Sequence, residues 1–456
     1  MNFQIMIRAL VSAVILSGGC AGEPADLLVR DVLALDDGTA VVHTEDQKTQ
    51  VHSIARMVSG RTVWSTELPG EPLKFGVQGM SVHKGIVGVR QVHNGFVPFV
   101  GMTGLSLGTG DPQWNATLKS FPGQRFTPEL GKDPSLGSFA TQAAFFEFVN
   151  DNAGRADELL AIDADTGAVV RRALSDDMHS APIVVGPYLV VHSFGTASVF
   201  GGSAAEPMMV PVEGVGCVAD GEFARVIPTT HGFQLVAWPE MDPTRASTVD
   251  LEIPPDAHKR IVGCARYGKQ IVVERTDLKT TELHIMTPAG RSQGVVTLAG
   301  WRDSHTEQRF PAAAAVGGAL PRYVPYDVDT ADGHQLWLID LERRTVARKL
   351  PFRDVESIFQ VDGRWYLVAY GQTIAAIDGD DGRFVGAVRV QGVRYLRPID
   401  PTSIAGGSLW IAGYGQSASE GVAIARLDAR SLAPTFASPA IQIVDVSDDC
   451  EWAPLR

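Results

Sequence analysis

The chain has 456 residues, with 39 Lys and Arg against 52 Asp and Glu, for a formal net charge of −13. That balance excludes a nucleic-acid partner and attachment to an anionic membrane face, since both repel an acidic surface. Apolar residues make up 45% and charged residues 20%, enough for a large core, and 47 Gly with 27 Pro suit a chain dense in turns.

Residues 1–20 differ from the rest. Arg8 precedes an apolar run over 9–16, and Ser17-Gly18-Gly19-Cys20 follows. A charged start, a short apolar run and small residues at a processing point predict a secretory signal too short to span a bilayer. Cys after Gly-Gly resembles a bacterial lipoprotein processing site, with Ser17 where Leu is usual and Leu16 one place earlier. The resemblance implies Cys20 as the lipid attachment residue. An ordinary secretory signal with a chance Cys is the alternative. Ala21 after the Cys implies, by the sorting rule of enteric bacteria, the periplasmic face of the outer membrane, with the cell surface or secretion as alternatives. Residues 21–28 read as a short tether.

Beyond them, two phrases recur. The first is an apolar strand, an Asp- and Gly-containing turn and a second apolar strand, as in 105–114, 159–170 and 373–385. Asp caps its own backbone and Gly accepts positive φ, so each copy predicts a β-hairpin. The second phrase is strand, Gly turn, strand, at 180–193, 357–369 and 402–412, with weaker copies at 215–223 and 262–273. Together they make a four-stranded unit repeating every 46–47 residues or so, and such a unit covers its faces only by stacking on neighbours. The expected fold is all-β: a β-propeller over 29–446, of eight four-stranded blades with seven as the alternative, and a tail over 447–456. The segment Leu33-Ala34-Leu35 is expected to share a blade with Ile441-Gln442-Ile443-Val444 and close the ring. No sustained 3.6-residue period predicts helix after residue 20.

These phrases resemble the quinoprotein-type (PQQ-like) propeller repeat. That repeat's blade-end Trp matches Trp114 and, in a shifted setting, Trp64, whereas Val170 and Val385 stand at corresponding points of other copies. In the family this Trp docks one blade onto the next. Fold and anchoring together resemble the outer-membrane barrel-assembly propeller lipoproteins, which implies a protein-binding scaffold with envelope proteins as partners. The quinoprotein dehydrogenases of the same repeat use a neighbouring-Cys disulfide, a Trp floor and calcium, and this chain has no adjacent Cys pair.

Other chemistry is sparse. Cys217 and Cys264 each follow Val-Gly at the same point of successive repeats. They are a possible disulfide if their Cα atoms approach within about 7 Å, and otherwise two small buried hydrophobes. Cys450 has no evident mate. The eleven His include His83 and His93, ten places apart in one hairpin, without a metal-ligand spacing. The turns at Asp163 and Asp378 lack the Glu that completes an EF-hand loop. Arg343-Arg344 reads as a hairpin turn. No nucleophile elbow and no phosphate loop occur. The expectation is therefore no catalytic residue, no metal and no cofactor, in a scaffold held to the membrane by lipid at Cys20. An enzyme built on propeller loops, a hydrolase or lyase rather than a quinone-dependent dehydrogenase, is the alternative.

Overall fold

In the computed structural model, the structure describes residues 27–447 apart from 47, 69–74, 94–98, 121–138, 141–144, 151–155, 174–182, 186–187, 194–195, 201–207, 212–214, 220–221, 240–244, 257, 278, 301–319, 331–332, 353–354, 370–371, 398, 400–402 and 416–422. Among the described residues there is no α-helix, and antiparallel meanders follow one another in chain order. Their sheets are A (27–67), B (75–120), C (139–173), D (183–211), E (215–299), F (323–349), G (355–391) and H (393–437). The chain divides into two compact units, one of residues 1–178 and 390–444, the other of 179–389 and 445–456.

In the first unit, sheets H, A, B and C pack face to face in that order. Val29, Ala40, Val42 and Met57 of sheet A meet Trp410, Ala412 and Ile424 of sheet H. On the other face, Val41, Ile54 and Trp64 meet Met80, Val87, Val89 and Leu105 of sheet B. Val92, Val100, Met102 and Trp114 of sheet B then meet Phe145, Leu160 and Ile162 of sheet C. A strand covered on both faces needs apolar residues at consecutive positions. Ala40, Val41 and Val42 are accordingly all buried.

The docking Trp has a definite seat. Trp64 Nε1 donates to Leu107 O (3.0 Å) in the next sheet, and Trp114 Nε1 donates to Ala164 O (2.7 Å) in the one after. Each ring lies over the left-handed Gly of that sheet's last turn. A Cβ on Gly110 would stand 2.6 Å from Trp64, and one on Gly167 would stand 2.7 Å from Trp114. Gly is required twice over, by φ of +78° and +69° and by the ring above it. In sheet H the corresponding aromatic is Phe436, which covers Gly60 of sheet A.

The second unit repeats the meander, and there Trp365 Nε1 of sheet G donates to Tyr323 O (2.7 Å) of sheet F. Val249 takes the ring's place against Gly290, where a Cβ would stand 2.9 Å from its Cγ1. Sheet E is two meanders fused edge to edge. Val215–Ala219 and Arg260–Tyr267 run parallel, with Cys217 opposite Cys264 and Val218 opposite Ala265.

The expected union of Leu33-Ala34-Leu35 with the C-terminal strand does not form. Sheet A completes its four strands within 27–67, Leu33 facing Val41. Gln442–Asp445 belongs to sheet G. Val446 N–H donates to Ala387 O (3.0 Å) and Ala387 N–H to Ser447 Oγ (3.0 Å), fixing Val446 and Ser447 there. The chain's first and last full meanders meet by packing faces instead, as the contacts of sheets A and H show.

Candidate functional site

In unit 2, the seam of sheet E brings the two sequence-marked cysteines together. Cys217 and Cys264 occupy the first strand of each meander, are 3% and 2% exposed, and lie with Cα atoms 4.4 Å and sulfurs 2.10 Å apart, at bonding distance. The antiparallel meanders put equivalent positions of the two first strands side by side, which is why a spacing of 47 residues ends in contact. Ala224, Val226, Leu235, Ile271, Val273 and Met286 pack with the pair in one apolar cluster.

A second cluster lies in the same sheet. Glu282 accepts from Lys259 Nζ (2.5 Å), from Arg275 Nε and Nη2 (3.1 and 2.8 Å) and from His284 Nε2 (3.1 Å). Burial pushes the Glu282 carboxyl up, but the hydrogen bonds from Lys259, Arg275 and His284 outweigh it and hold it at about 2. His284 is driven down by burial and by the neighbouring Arg275 and Lys259 charges, against the pull of Glu282. Arg275 also donates to Pro254 O (2.5 Å), tying down the connection between the two meanders. Each of these charges has an opposite partner, and the cluster ties down Pro254 and Lys259.

In unit 1, His43 and His52 share a buried hydrogen bond, Nε2 to Nδ1 at 2.9 Å. Burial, then the charges of His52, Arg30 and Arg397, push the His43 imidazole well below its ordinary value, so it stays neutral. Glu45, opposite His52 in the ladder, accepts from Arg30 Nε at 2.6 Å.

The first strands of several sheets share one irregularity. A single extra residue bulges at Arg30 in Leu27–Ala34, Gln78 in Phe75–His83 and Arg394 in Val393–Leu396 of unit 1, and at Val262 and Glu356 in unit 2. A bulge re-aims side chains. At Arg394 it turns two successive residues outward: Arg394 and Tyr395 are both exposed, Tyr395 by 59%, and the guanidinium carbon lies over the ring at 5.3 Å from its centroid.

The remaining sequence-marked residues resolve as turns or lie elsewhere. Asp163 Oδ1 accepts from the Asp165 and Thr166 amides (3.1 and 2.8 Å), and Asp378 Oδ1 from those of Asp380 and Asp381 (3.0 and 3.3 Å). Arg344 sits at φ +59° in its hairpin turn. His83 and His93 occupy opposite ends of their ladder, opposite Ile86 and Phe75, and do not converge. Among the described residues, no three His, Cys, Asp or Glu side chains form a metal-binding group. Cys20 and Cys450 lie outside the described residues. Sequence reasoning missed the bulges, the His43–His52 pair and the Glu282 cluster. The Arg-Tyr-Leu-Arg run at 394–397 was the one available signal.

No protein family matches the sequence, and no curated protein sequence matches it. Among solved structures, BamB from Moraxella catarrhalis is similar at 12% identity and a TM-score of 0.42, over 88% of this chain and 98% of that one. AztD from Citrobacter koseri is similar at 11% identity and a TM-score of 0.35, over 74% and 91%. The computationally designed Ika8 protein is similar at 10% identity and a TM-score of 0.36, over 93% and 97%. Likeness of this degree fixes neither a partner nor an activity for this chain.

Proposed function

We propose that this chain is a lipid-anchored β-propeller of the bacterial cell envelope, one blade per meander, that binds other envelope proteins as a non-catalytic scaffold, with outer-membrane protein assembly as its setting. The observation that carries the envelope placement is the Cys217–Cys264 pair at bonding distance across a buried seam. Disulfides persist in oxidising compartments, and this agrees with the signal-like segment ending at Cys20. The scaffold role is supported by meanders packed face to face, which hold loops and strand ends on a rigid frame.

The test is in-cell photocrosslinking of the full chain with fractionation. The wild type should sediment with membranes and crosslink to an envelope protein, and Cys20→Ser should move to the soluble fraction with crosslinking reduced. A Cys20→Ser chain that stays on membranes after a high-salt wash removes the lipid anchor from the reading. A wild type that crosslinks to no envelope protein removes the scaffold.

A further inference from the structure

The Glu282 cluster contains one buried atom that its ion pairs do not use. His284 Nε2 faces the Glu282 carboxylate at 3.1 Å, and an ionised carboxylate only accepts, so Nε2 carries the hydrogen. In a neutral imidazole that leaves Nδ1 bare, and Nδ1 is buried with no hydrogen-bond partner. Val273 and Val295 stand opposite His284 on the two neighbouring strands, and Ser292–Ala299 carries no titratable side chain. Leu235, Leu251 and Ile253 of the other meander pack on the same side, against Val273 and Met286. Asp250 and Glu252 of that meander are engaged with Gln234 and with Arg291 and Ser292. The charged groups that act on His284 are Glu282 from its own strand, Arg275 from Gln270–Thr276 and Lys259 from the connection between the meanders. Lys259 also lies 3.9 Å from Asp277. Lys259 and Arg275 therefore balance Glu282 and Asp277 only while His284 is neutral.

We propose that His284 is an acid-operated release within sheet E: a proton on Nδ1 drives Lys259 off Glu282 and loosens the connection between the two meanders at its Lys259 end. The geometry dictates this response. An imidazolium donates from both nitrogens, and Nδ1 has no acceptor to receive its hydrogen. The added charge also sets three cations around Glu282. The least buried of them leaves most easily: the Lys259 side chain is 15% exposed, against 6% for Arg275 and 3% for His284. Arg275 is held by two bonds to Glu282 and one to Pro254 O, whereas Lys259 meets Glu282 at a single oxygen. Burial, with the Arg275 and Lys259 charges, already holds the imidazole below its ordinary 6.5 against the pull of Glu282. A folded value below the unfolded one means that the closed connection is fully stable above about pH 6.5 and weakens as pH falls below it. Glu282, held at about 2, stays ionised through that fall.

The experiment uses the full chain. Nitrogen-15 NMR of the histidine rings should show His284 at pH 7 with its hydrogen on Nε2, titrating below its ordinary value. Hydrogen–deuterium exchange read by mass spectrometry, corrected for the intrinsic pH dependence of exchange, then compares pH 7 with pH 5. An imidazole of ordinary value is charged about 30 to 1 at pH 5, so exchange in peptides containing Lys259 should rise by up to about thirtyfold. Peptides of Gln270–Thr276 and Thr280–Met286 should keep their protection, because their ladder does not use the imidazole. His284→Gln retains a donor for Glu282 and takes up no proton, so its exchange at Lys259 should not respond to acid. Lys259→Met removes one of the two cations that oppose the imidazolium, so the His284 titration should move to higher pH. That shift decides the matter if His284→Gln does not fold. A hydrogen on Nδ1 at pH 7, pH-independent exchange at Lys259 in the wild type, acid release in His284→Gln, or no upward movement in Lys259→Met would each overturn the proposal.

Discussion

Breaking the Cys217–Cys264 link is the sharpest test of how sheet E is held. The link closes a loop of 47 residues. Loop-closure entropy for that length is about −14 cal/mol/K, or about 4 kcal/mol at room temperature. The parallel ladder left behind pairs only Cys217 with Cys264 and Val218 with Ala265. Two pairs of strand residues contribute far less than 4 kcal/mol, so the seam depends on the bond. Cys217→Ala/Cys264→Ala, or reduction of the wild type, should therefore lower unfolding free energy by about 3–4 kcal/mol. For a unit of this size that is a fall in melting temperature of roughly 6–16 °C. The assay is guanidinium unfolding followed by far-ultraviolet circular dichroism, with and without a phosphine reductant. Thiol titration in denaturant runs in parallel, and Cys217 and Cys264 should stay silent until reductant is added. Oxidised and reduced chains with the same midpoint and slope would refute the reasoning.

Trp114→Ala should cost about 3–5 kcal/mol, since it empties the space between sheets B and C and leaves Ala164 O without its donor. Gly167→Ala should also destabilise, by more than about 1 kcal/mol, because its Cβ would meet Trp114 at 2.7 Å with φ at +69°; chemical denaturation of both variants checks this. Glu282→Gln should lower stability by about 2 kcal/mol, less than for a fully buried pair because the carboxylate is 16% exposed. Its folded pKa lies near 2, below the ordinary 4.5, so the stability it contributes is present above about pH 4.5 and is lost as pH falls toward 2. The Gln variant should show a flatter acid limb in a pH series of melting temperatures. His43 is held neutral, its folded pKa below 6.5, so the unfolded chain takes up the proton first. Stability should be full above about pH 6.5 and decline below it, and His43→Gln should reduce that slope. A wild-type melting temperature flat between about pH 6.5 and 5 would contradict a neutral His43.

Much of the framework was legible because it is local. Asp163 and Asp378 sit in turns whose hydrogen bonds lie within three residues, so the turn phrase announced them. Trp64 and Trp114 could be read as inter-sheet docks because they stand where the resembled repeat carries its docking Trp. Cys217 and Cys264 were visible as equivalent points of successive repeats, although the distance between such points depends on how two meanders abut. Other features depend on register. A bulge inserts one residue without changing the apolar pattern, so Arg394 and Tyr395 read as an ordinary strand. His43 and His52 meet diagonally across a ladder, and Arg275 faces Glu282 only once Gln270–Thr276 is aligned with Thr280–Met286. The misplaced C-terminal strand has the same origin. Apolar runs at Leu33 and Ile441 each fit an edge, and nothing in their composition selects which edge.

The aromatic-on-glycine dock of the first unit has a direction: sheets H, A and B each offer a ring forward, and sheets A, B and C each a bare turn behind. Surfaces that join head to tail are complementary but never identical, so the contact is heterologous. Phe436 of sheet H seats on the Gly60 turn of sheet A. Removing sheet H would take Phe436 with it and leave the Gly60 socket of sheet A open, while Trp64 and Trp114 stayed seated. The exposed half would be a turn with no ring of its own to offer at the same place, so two such chains could not satisfy one another there by a two-fold contact. The seating of Phe436 on Gly60 thus covers a socket that only a different surface can fill.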